Sequence, residues 1–360
     1  MGKRINTARW MVNQKRWQIN VQKDGVRRTF YASTPGRTGQ RECNAKADAW
    51  LDDNIVDENT KIHKIFEAYI KSLELTASSS ALAKVRSIGK NWLLPYLGNI
   101  RISNLTEQHI QDVINRAYKK GLAKKSLQNI RFVILAFVKY CRRCKYTTFF
   151  PEDVIIPKAA RSKPKNILTL ADLKKLFGID TTIKRNKRMR DPYINAYRLQ
   201  IATGLRPGEL MALKWTDISG DIVQLSGSKN YLNEFTKGKN ENAIRRFGLD
   251  EFMKTILENQ AQYTADEKFV FGEMNLSSYE KAWKRYCRCN ELQYVTLYEL
   301  RHTFVSYVKS LPKGELQPVV GHSKAMDTYG RYGHETEGEL EKTAAKIGNI
   351  FIEILNKQNC

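Results

Sequence analysis

Two stretches of this 360-residue chain concentrate side chains suited to phosphate chemistry. One is ATGLRPGELMALKW, with Arg206 and Glu209. The other reads TLYELRHTFVSYV, breaks at Leu311-Pro312-Lys313-Gly314, and resumes as PVVGHSKAMDTYGRYGH, carrying Tyr298, Arg301, His302, His322 and Tyr332. Breaking a phosphodiester takes a nucleophile, positive charge on the non-bridging oxygens, and an acid for the leaving 5′ oxygen. Arginine's planar fork matches phosphate oxygens bidentately and keeps its charge. Two arginines on separate helices, Arg206 and Arg301, could grip one phosphate from two sides. A tyrosine can attack phosphorus and hold the strand as a covalent ester, conserving the bond energy for rejoining. A hairpin lysine releases its proton more readily where neighbouring cations lower its pKa. None of this needs a metal. The sequence has neither a carboxylate cluster for Mg²⁺ nor a Gly-x4-Gly-Lys-Ser/Thr loop for ATP, so no cofactor is expected.

Taken singly these residues say little. Tyrosine in Arg-Tyr-Gly is most often a surface residue, arginine near a helix start a salt-bridge partner, and a His after Gly321 a helix cap. Their order and spacing are the specific signal, and the surrounding elements must bring them together. LTLADLKKLF starts a helix with Thr169 as N-cap. DPYINAYRLQIATGLRPGELMALKWTDI predicts a long helix, a break at Gly204, and a second helix from Pro207, with Glu209 well placed against its dipole. From Asp217 to Leu249 the period shifts to strands: DIVQLSG, NYLNEFTKG and NAIRRFGL read as a three-stranded antiparallel sheet, with Lys237 and Lys239 in the turn before the last strand. The chain closes on an amphipathic helix bearing Ala344, Ile347, Ile350, Phe351, Ile354 and Leu355. It would either dock on a neighbouring protomer or cover its own core.

Upstream, residues 1–57 read as a small β-sheet plus helix. WQINVQ and VRRTFYA flank a Lys23-Asp24-Gly25 turn, and a helix follows with Ala45, Ala49 and Trp50 on one side. Arg16, Lys23, Arg27 and Arg28 gather on this hairpin, a ribbon that could lie in a DNA groove. Residues 58–158 turn all-helical, forming a four-helix domain with Thr106 as an N-cap and Gly121 as a stop. Its last helix offers Lys124, Lys125, Arg131, Lys139, Arg142 and Arg143 outward, a plausible half of a DNA clamp. The proline-bearing stretch around 159–166 is the linker to a catalytic domain spanning 167–360. The fold class is thus multidomain and mainly α, ending in a mixed α+β domain.

A formal charge of +24 and a pI near 9.7 point to a polyanionic partner, double-stranded DNA above all. No apolar run is long enough to span a membrane, and the N-terminus lacks the apolar core of a signal peptide. Six cysteines suit a reducing bacterial cytoplasm. Cys141-x-x-Cys144 and Cys287-x-Cys289 lie in helical patterns without a second paired half, against zinc.

These motifs resemble those of the tyrosine recombinases, particularly the integrases of temperate phages and conjugative transposons. TGLRPGELMALKW is similar to the family's first-arginine motif, LYELRHTF to its Leu-His-Asp-Leu-Arg-His-Thr segment, and GHSKAMDTYGRY to its Gly-His element with a tyrosine ten residues on. The resemblance implies that Tyr332 forms a 3′-phosphotyrosyl bond, Arg206 and Arg301 bind the scissile phosphate, His322 assists, and Glu209 and His302 support the site. Tyr329, seven residues after His322, is off the family's spacing. Lys237 and Lys239 both lie in the lysine turn, and counting back from Arg245-Arg246-Phe247-Gly248-Leu249 favours Lys239. Tyr298 stands where the family usually has His; a phenol can donate to phosphate but is a poor base at neutral pH. The resemblance further implies a homotetramer on core and arm-type DNA sites, strand exchange through a Holliday junction, a possible accessory DNA-bending or excision factor, and integration and excision of a mobile element. A type IB topoisomerase and a catalytically inactive DNA-binding relative are the alternatives.

Overall fold

The structure, a computed structural model, describes residues 5–23, 25–52, 59–162, 164–236, 245–321 and 338–357. The chain divides into two compact units, Met1–Lys163 and Pro164–Cys360.

The first unit holds two separate hydrophobic clusters. Strands β1 (Arg9–Met11), β2 (Arg16–Lys23) and β3 (Val26–Ala32) form an antiparallel sheet in sequence order. The expected hairpin closes with Lys23 opposite Val26, and Gly25 takes the left-handed conformation the turn requires (φ 82°). Strand β1 was not anticipated. Ile19, Val21 and Ala32 bury against Cys43, Ala47 and Leu51 of helix α1 (Gly36–Asp52). The inward stripe therefore differs from the Ala45/Ala49 face expected from sequence: those alanines are exposed, because the four-residue repeat through Cys43, Ala47 and Leu51 carries more apolar surface.

The second cluster is built by α2 (Ile62–Glu74), α3 (Ser79–Ile88), α4 (Leu94–Leu97), α5 (Glu107–Lys119) and α6 (Lys124–Arg143). A π-helical turn at Gly89–Leu93 joins α3 to α4; a Cβ at Gly89 would lie 2.3 Å from the Phe66 ring, so only glycine allows that approach. Thr106 caps α5 as expected, accepting from the His109 backbone N–H at 3.4 Å. The segment after α6 packs on this cluster: Val154 and Ala160 are buried in it, and Arg131 Nη1 donates to the Val154 carbonyl at 3.0 Å.

The second unit starts with α7 (Leu170–Gly178), capped by Thr169, followed by a hairpin of β4 (Thr181–Lys184) and β5 (Lys187–Arg190). Helices α8 (Ile194–Thr203) and α9 (Pro207–Ala212) follow as the sequence indicated. A three-stranded antiparallel sheet is present, but its membership differs. Its order is β10 (Arg246–Gly248), β7 (Ile222–Gln224), β6 (Ile218–Ser219). The NYLNEFTKG stretch instead contributes to a separate small hairpin of β8 (Ser228–Lys229) and β9 (Phe235–Thr236). The Asn230 side chain accepts the backbone N–H groups of Leu232 and Glu234 and curls that segment back on itself, away from the main sheet. Helices α10 (Glu251–Thr264), α11 (Leu276–Cys289), α12 (Leu297–Tyr307), α13 (Lys313–Val320) and α14 (Glu339–Asn356) complete the unit. Helix α14 covers its own core, with Ile347, Phe351 and Ile354 buried there.

Candidate active site

Helix α8 is buried on nearly all sides and must stop abruptly to release Arg206. It stops at Gly204 (φ 66°), where a Cβ would lie 2.3 Å from the Phe304 ring of α12, so the helix end is held against α12. Gln200, fully buried, ties the same corner. Its amide nitrogen donates to the carbonyls of Leu205 (3.2 Å) and Leu297 (2.9 Å), and its oxygen accepts from Tyr279 Oη (2.9 Å). The loop carrying Arg206 and the start of the helix carrying Arg301 are thus stitched to one side chain.

Arg206 then caps α9, Pro207 occupies its first turn, and Glu209 reaches back to accept the Arg206 backbone N–H at 2.9 Å. Glu209 is 2% exposed. Arg206 Nη1 donates to its Oε1 at 2.7 Å. Arg245, immediately before β10, brackets both oxygens, Nη1 to Oε1 at 2.8 Å and Nη2 to Oε2 at 3.0 Å. Burial alone would raise the Glu209 carboxyl; the hydrogen bonds and charge of Arg245, then those of Arg206, outweigh it and bring it down to about 2.

Three successive carbonyls at the end of α13 receive three arginines. Arg245 Nε donates to Val319 (2.9 Å), Arg301 Nη2 to Val320, and Arg206 Nη2 to Gly321 (3.2 Å). Arg301 also donates from Nη1 to the Gly204 carbonyl at 2.8 Å. These acceptors carry the negative end of the α13 dipole, which suits cations. Arg301 is 3% exposed, and burial, followed by the like charge of Arg206, lowers its pKa to about 10, still charged at neutral pH. Arg206 is more open; burial pulls its pKa down, but Glu209 and then the Tyr298 hydroxyl more than offset this.

Tyr298 is 46% exposed on α12, with its hydroxyl against Arg206 and its ring edge-on to His302 at 5.5 Å. His302 has its Nε2 buried without a partner among the described residues. Burial and nearby Lys165 lower its pKa, so it is neutral at pH 7. Lys237, Lys239, His322, Tyr329 and Tyr332 lie outside the described residues. Gly208 brings the base of the β8–β9 hairpin, which leads toward Lys237, against α9: a Cβ there would lie 2.4 Å from the Lys229 carbonyl.

The proposed DNA-facing cations divide. Arg27, Arg28, Lys124, Lys125, Lys139, Arg142 and Arg143 are exposed, with Arg142 stacked 4.6 Å over Phe150. Lys23 instead donates to the Trp50 and Leu51 carbonyls at the end of α1, Arg16 lies 3.8 Å over the Tyr31 ring, and Arg131 is half-buried on Val154. Sequence reading missed three features. Gln200 and Arg245 act through partners distant in sequence, and the β4–β5 hairpin lacks apolar alternation. Its ten residues, TTIKRNKRMR, hold five cations and no acid, a signal composition alone could have shown. Among the described residues no group of His, Cys, Asp and Glu is placed to hold a metal, and no helix is long and apolar enough to cross a membrane.

Arg206, Arg245 and Arg301 thus converge, around one buried carboxylate, on the end of α13 in a mainly helical scaffold. Residues 166–339 match the family described as Phage integrase family, and residues 62–118 the Phage integrase, N-terminal SAM-like domain. The chain belongs to the phage integrase family of tyrosine recombinases, enzymes that cleave and rejoin DNA. It is 19% identical, over 91% of its length and 93% of the relative, to a XerC-like tyrosine recombinase of Caldanaerobacter subterraneus subsp. tengcongensis. It is 20% identical to the ICEBs1 integrase of Bacillus subtilis, over 80% of this chain and 82% of that one. Among solved structures, the Tn1549 transposon integrase in complex with transposon right end DNA superimposes with a TM-score of 0.60 at 16% identity, covering 80% of this chain and 99% of that one. A lambda integrase tetramer bound to a Holliday junction gives 0.59 at 17% identity, covering 91% and 96%.

Proposed function

We propose that this protein is a site-specific recombinase that integrates and excises a mobile element through a 3′-phosphotyrosyl intermediate. The observation that carries this reading is the convergence of Arg206 and Arg301 on successive carbonyls of Val320 and Gly321, next to His322 and eleven residues before Tyr332. Arg206 and Arg301 hold the scissile phosphate, with Glu209 fixing Arg206. Tyr298 donates to a non-bridging oxygen beside Arg206, His322 adds a further hydrogen bond, and Lys239 or Lys237 protonates the leaving 5′ oxygen. Tyr332 Oη attacks phosphorus, the P–O5′ bond breaks, and the 3′ phosphate is retained as a tyrosyl ester. Attack by a 5′ hydroxyl of a partner strand reverses the step and frees Tyr332, so no nucleotide is consumed. Likeness to a transposon integrase supports the mobile-element role, and the Holliday-junction tetramer of a structural relative supports tetrameric strand exchange.

Residues 1–57 would bind arm-type sites, 58–158 would clamp the core site, and 167–360 would cut, with 159–166 as linker. The exposed β4–β5 tip, Lys184, Arg185 and Lys187, makes no ion pair among the described residues and is placed for duplex phosphates. The test is capture from nicked duplexes with a randomised core, where loss of the cleaved fragment traps the covalent protein–DNA ester. Wild-type chain should yield adduct and Tyr332→Phe none. No wild-type adduct, or an adduct that survives Tyr332→Phe, overturns the reading.

A further inference from the structure

We propose that Arg245 is a positioning residue for strand cleavage: its guanidinium clamps Glu209 to the last turn of α13, and so sets both Arg206 and the backbone that enters His322. The inference rests on the reading of the chain as a phosphotyrosyl-forming recombinase. The Arg245 side chain is 7% exposed, and all three nitrogens have protein acceptors: Val319 O, Glu209 Oε1 and Glu209 Oε2. With Nε, Nη1 and Nη2 each donating to these acceptors, it acts through them.

The geometry shows what the clamp does. Glu209 Oε1 is shared, 2.7 Å from Arg206 Nη1 and 2.8 Å from Arg245 Nη1. With Arg245 present, the carboxylate faces two guanidiniums and cannot close onto Arg206 alone. Arg206 therefore keeps Nη2 on the Gly321 carbonyl rather than turning both nitrogens to Glu209. At its other end Arg245 lies directly beneath Gly321 (φ 67°), where a Cβ would sit 3.0 Å from Arg245 Cδ and Nη1. The glycine before His322 is therefore needed twice, for its left-handed backbone and for the arginine packed below it. One side chain ties a phosphate-gripping arginine to the approach of a catalytic histidine across 36 and 74 positions of sequence. Lysine cannot substitute, because one ammonium cannot bracket two carboxylate oxygens and reach a carbonyl as well.

Cleavage needs this placement more than binding does, because DNA affinity comes from many phosphate contacts and strand cutting from one. The experiment compares wild type, Arg245→Met, Arg245→Lys and the pair Arg245→Met/Glu209→Gln on the core sequence most enriched in covalent capture. Affinity is read by gel shift and single-turnover adduct formation separately. Arg245→Met should bind the core duplex as wild type does and form adduct about 100-fold more slowly, the scale of a misplacement near 1 Å. Arg245→Lys should recover only part of that rate. The pair removes the buried carboxylate together with its clamp and leaves Arg206 without Glu209 Oε1; it should form adduct no faster than Arg245→Met alone, and core-duplex binding equal to wild type guards against simple misfolding.

The pH profile separates positioning from general stability. Glu209 is faced by Arg206 and Arg245, with Arg301 beyond and Tyr298 reaching it through Arg206. Without Arg245 its carboxyl protonates at higher pH, so the acid limb of the Arg245→Met rate should move upward, and the pair should lack that movement. Equal loss of binding and cleavage, a wild-type rate in Arg245→Met, or an unmoved acid limb overturns the inference while wild-type adduct formation upholds the functional reading. Heat unfolding of the free protein gives a readout that needs no cleavage. If Arg245→Met melts as wild type does at every pH from 4 to 8, the Arg245–Glu209 link is absent and the inference fails.

Discussion

Glu209 is the one buried carboxylate among three arginines, and its ionisation has consequences for stability as well as for catalysis. Its pKa is held at about 2, below the ordinary value of 4.5. A depressed carboxylate contributes stability that is fully present above the unfolded pKa and is lost as pH falls through the folded one. The window here is therefore pH 4.5 down to about 2, and the linked stability is about 3 kcal/mol. Glu209→Gln should flatten the acid side of the heat-unfolding profile between about pH 4.5 and 2. At pH 7 it should lower the melting temperature by leaving Arg245 buried without its counter-charge. A profile as steep as wild type would mean that other carboxylates govern acid sensitivity. Tyr298 makes the opposite kind of residue: exposed, and with no role in the core. Its hydroxyl lies against Arg206, so Tyr298→Phe should leave folding and core-site affinity unchanged and slow adduct formation about tenfold, as expected for one lost hydrogen bond to a charged group. Unchanged cleavage would show that the phenol does not serve the phosphate. Arg206, Glu209 and Arg301 were legible in the sequence because their motifs are short and local. Arg245 was not. It read as an ordinary strand-leading residue, and its meaning depends on a carboxylate 36 positions earlier and a helix end 74 positions later.

Helix ends, more than helix interiors, build this site. Arg206 stands after the end of α8, Arg301 within the second turn of α12, and all three guanidiniums meet at the end of α13. The sequence announced the break between α8 and α9 through Gly204 and Pro207, as it did the start of α7 through Thr169, since capping and left-handed stops depend on single residue types. It did not announce which strands would pair. NYLNEFTKG alternates well enough to pass for a sheet strand, yet the Asn230 side chain satisfies the backbone locally and curls the segment into its own hairpin. Gln200 shows the same limit: a glutamine on a helix looks solvent-facing until α12 and Tyr279 close over it. Because it joins the Arg206 loop to α12, Gln200→Leu should destabilise the unit by about 1–3 kcal/mol, the cost of orphaned buried carbonyls, and reduce adduct formation beyond any loss of folded protein. A variant that is less stable but cleaves normally would confine Gln200 to a structural role. The β4–β5 hairpin carries its own expectation. Replacing Lys184, Arg185 and Lys187 by Gln should weaken binding to any duplex equally and lower the salt-dependence slope by up to about 3, since each phosphate contact releases close to one counterion. An unchanged slope would leave these cations as solubilising charge.

At the scale of the whole molecule, the described residues form three hydrophobic clusters on one strongly basic chain, and each closes within its own stretch of sequence. The smallest is completed by residues 8–51, from Ala8 to Leu51, and shares none of its buried residues with the helical cluster that begins at Ile62. A core that needs nothing downstream can be removed without exposing one that does. Deleting residues 1–57 should therefore leave a folded protein that still traps covalent adduct on its core sequence at the full-length rate. Binding to long duplexes that carry additional sites outside the core should weaken and lose part of its salt dependence, because exposed Arg27 and Arg28 go with the deleted hairpin. If cleavage and long-duplex binding fall together, the N-terminal sheet serves the core site itself. If neither changes, its exposed arginines contact no DNA. Divided labour predicts a third pattern, in which recombination between two full sites fails while cutting of each core proceeds, and a junction-resolution assay beside the adduct assay reads that difference directly.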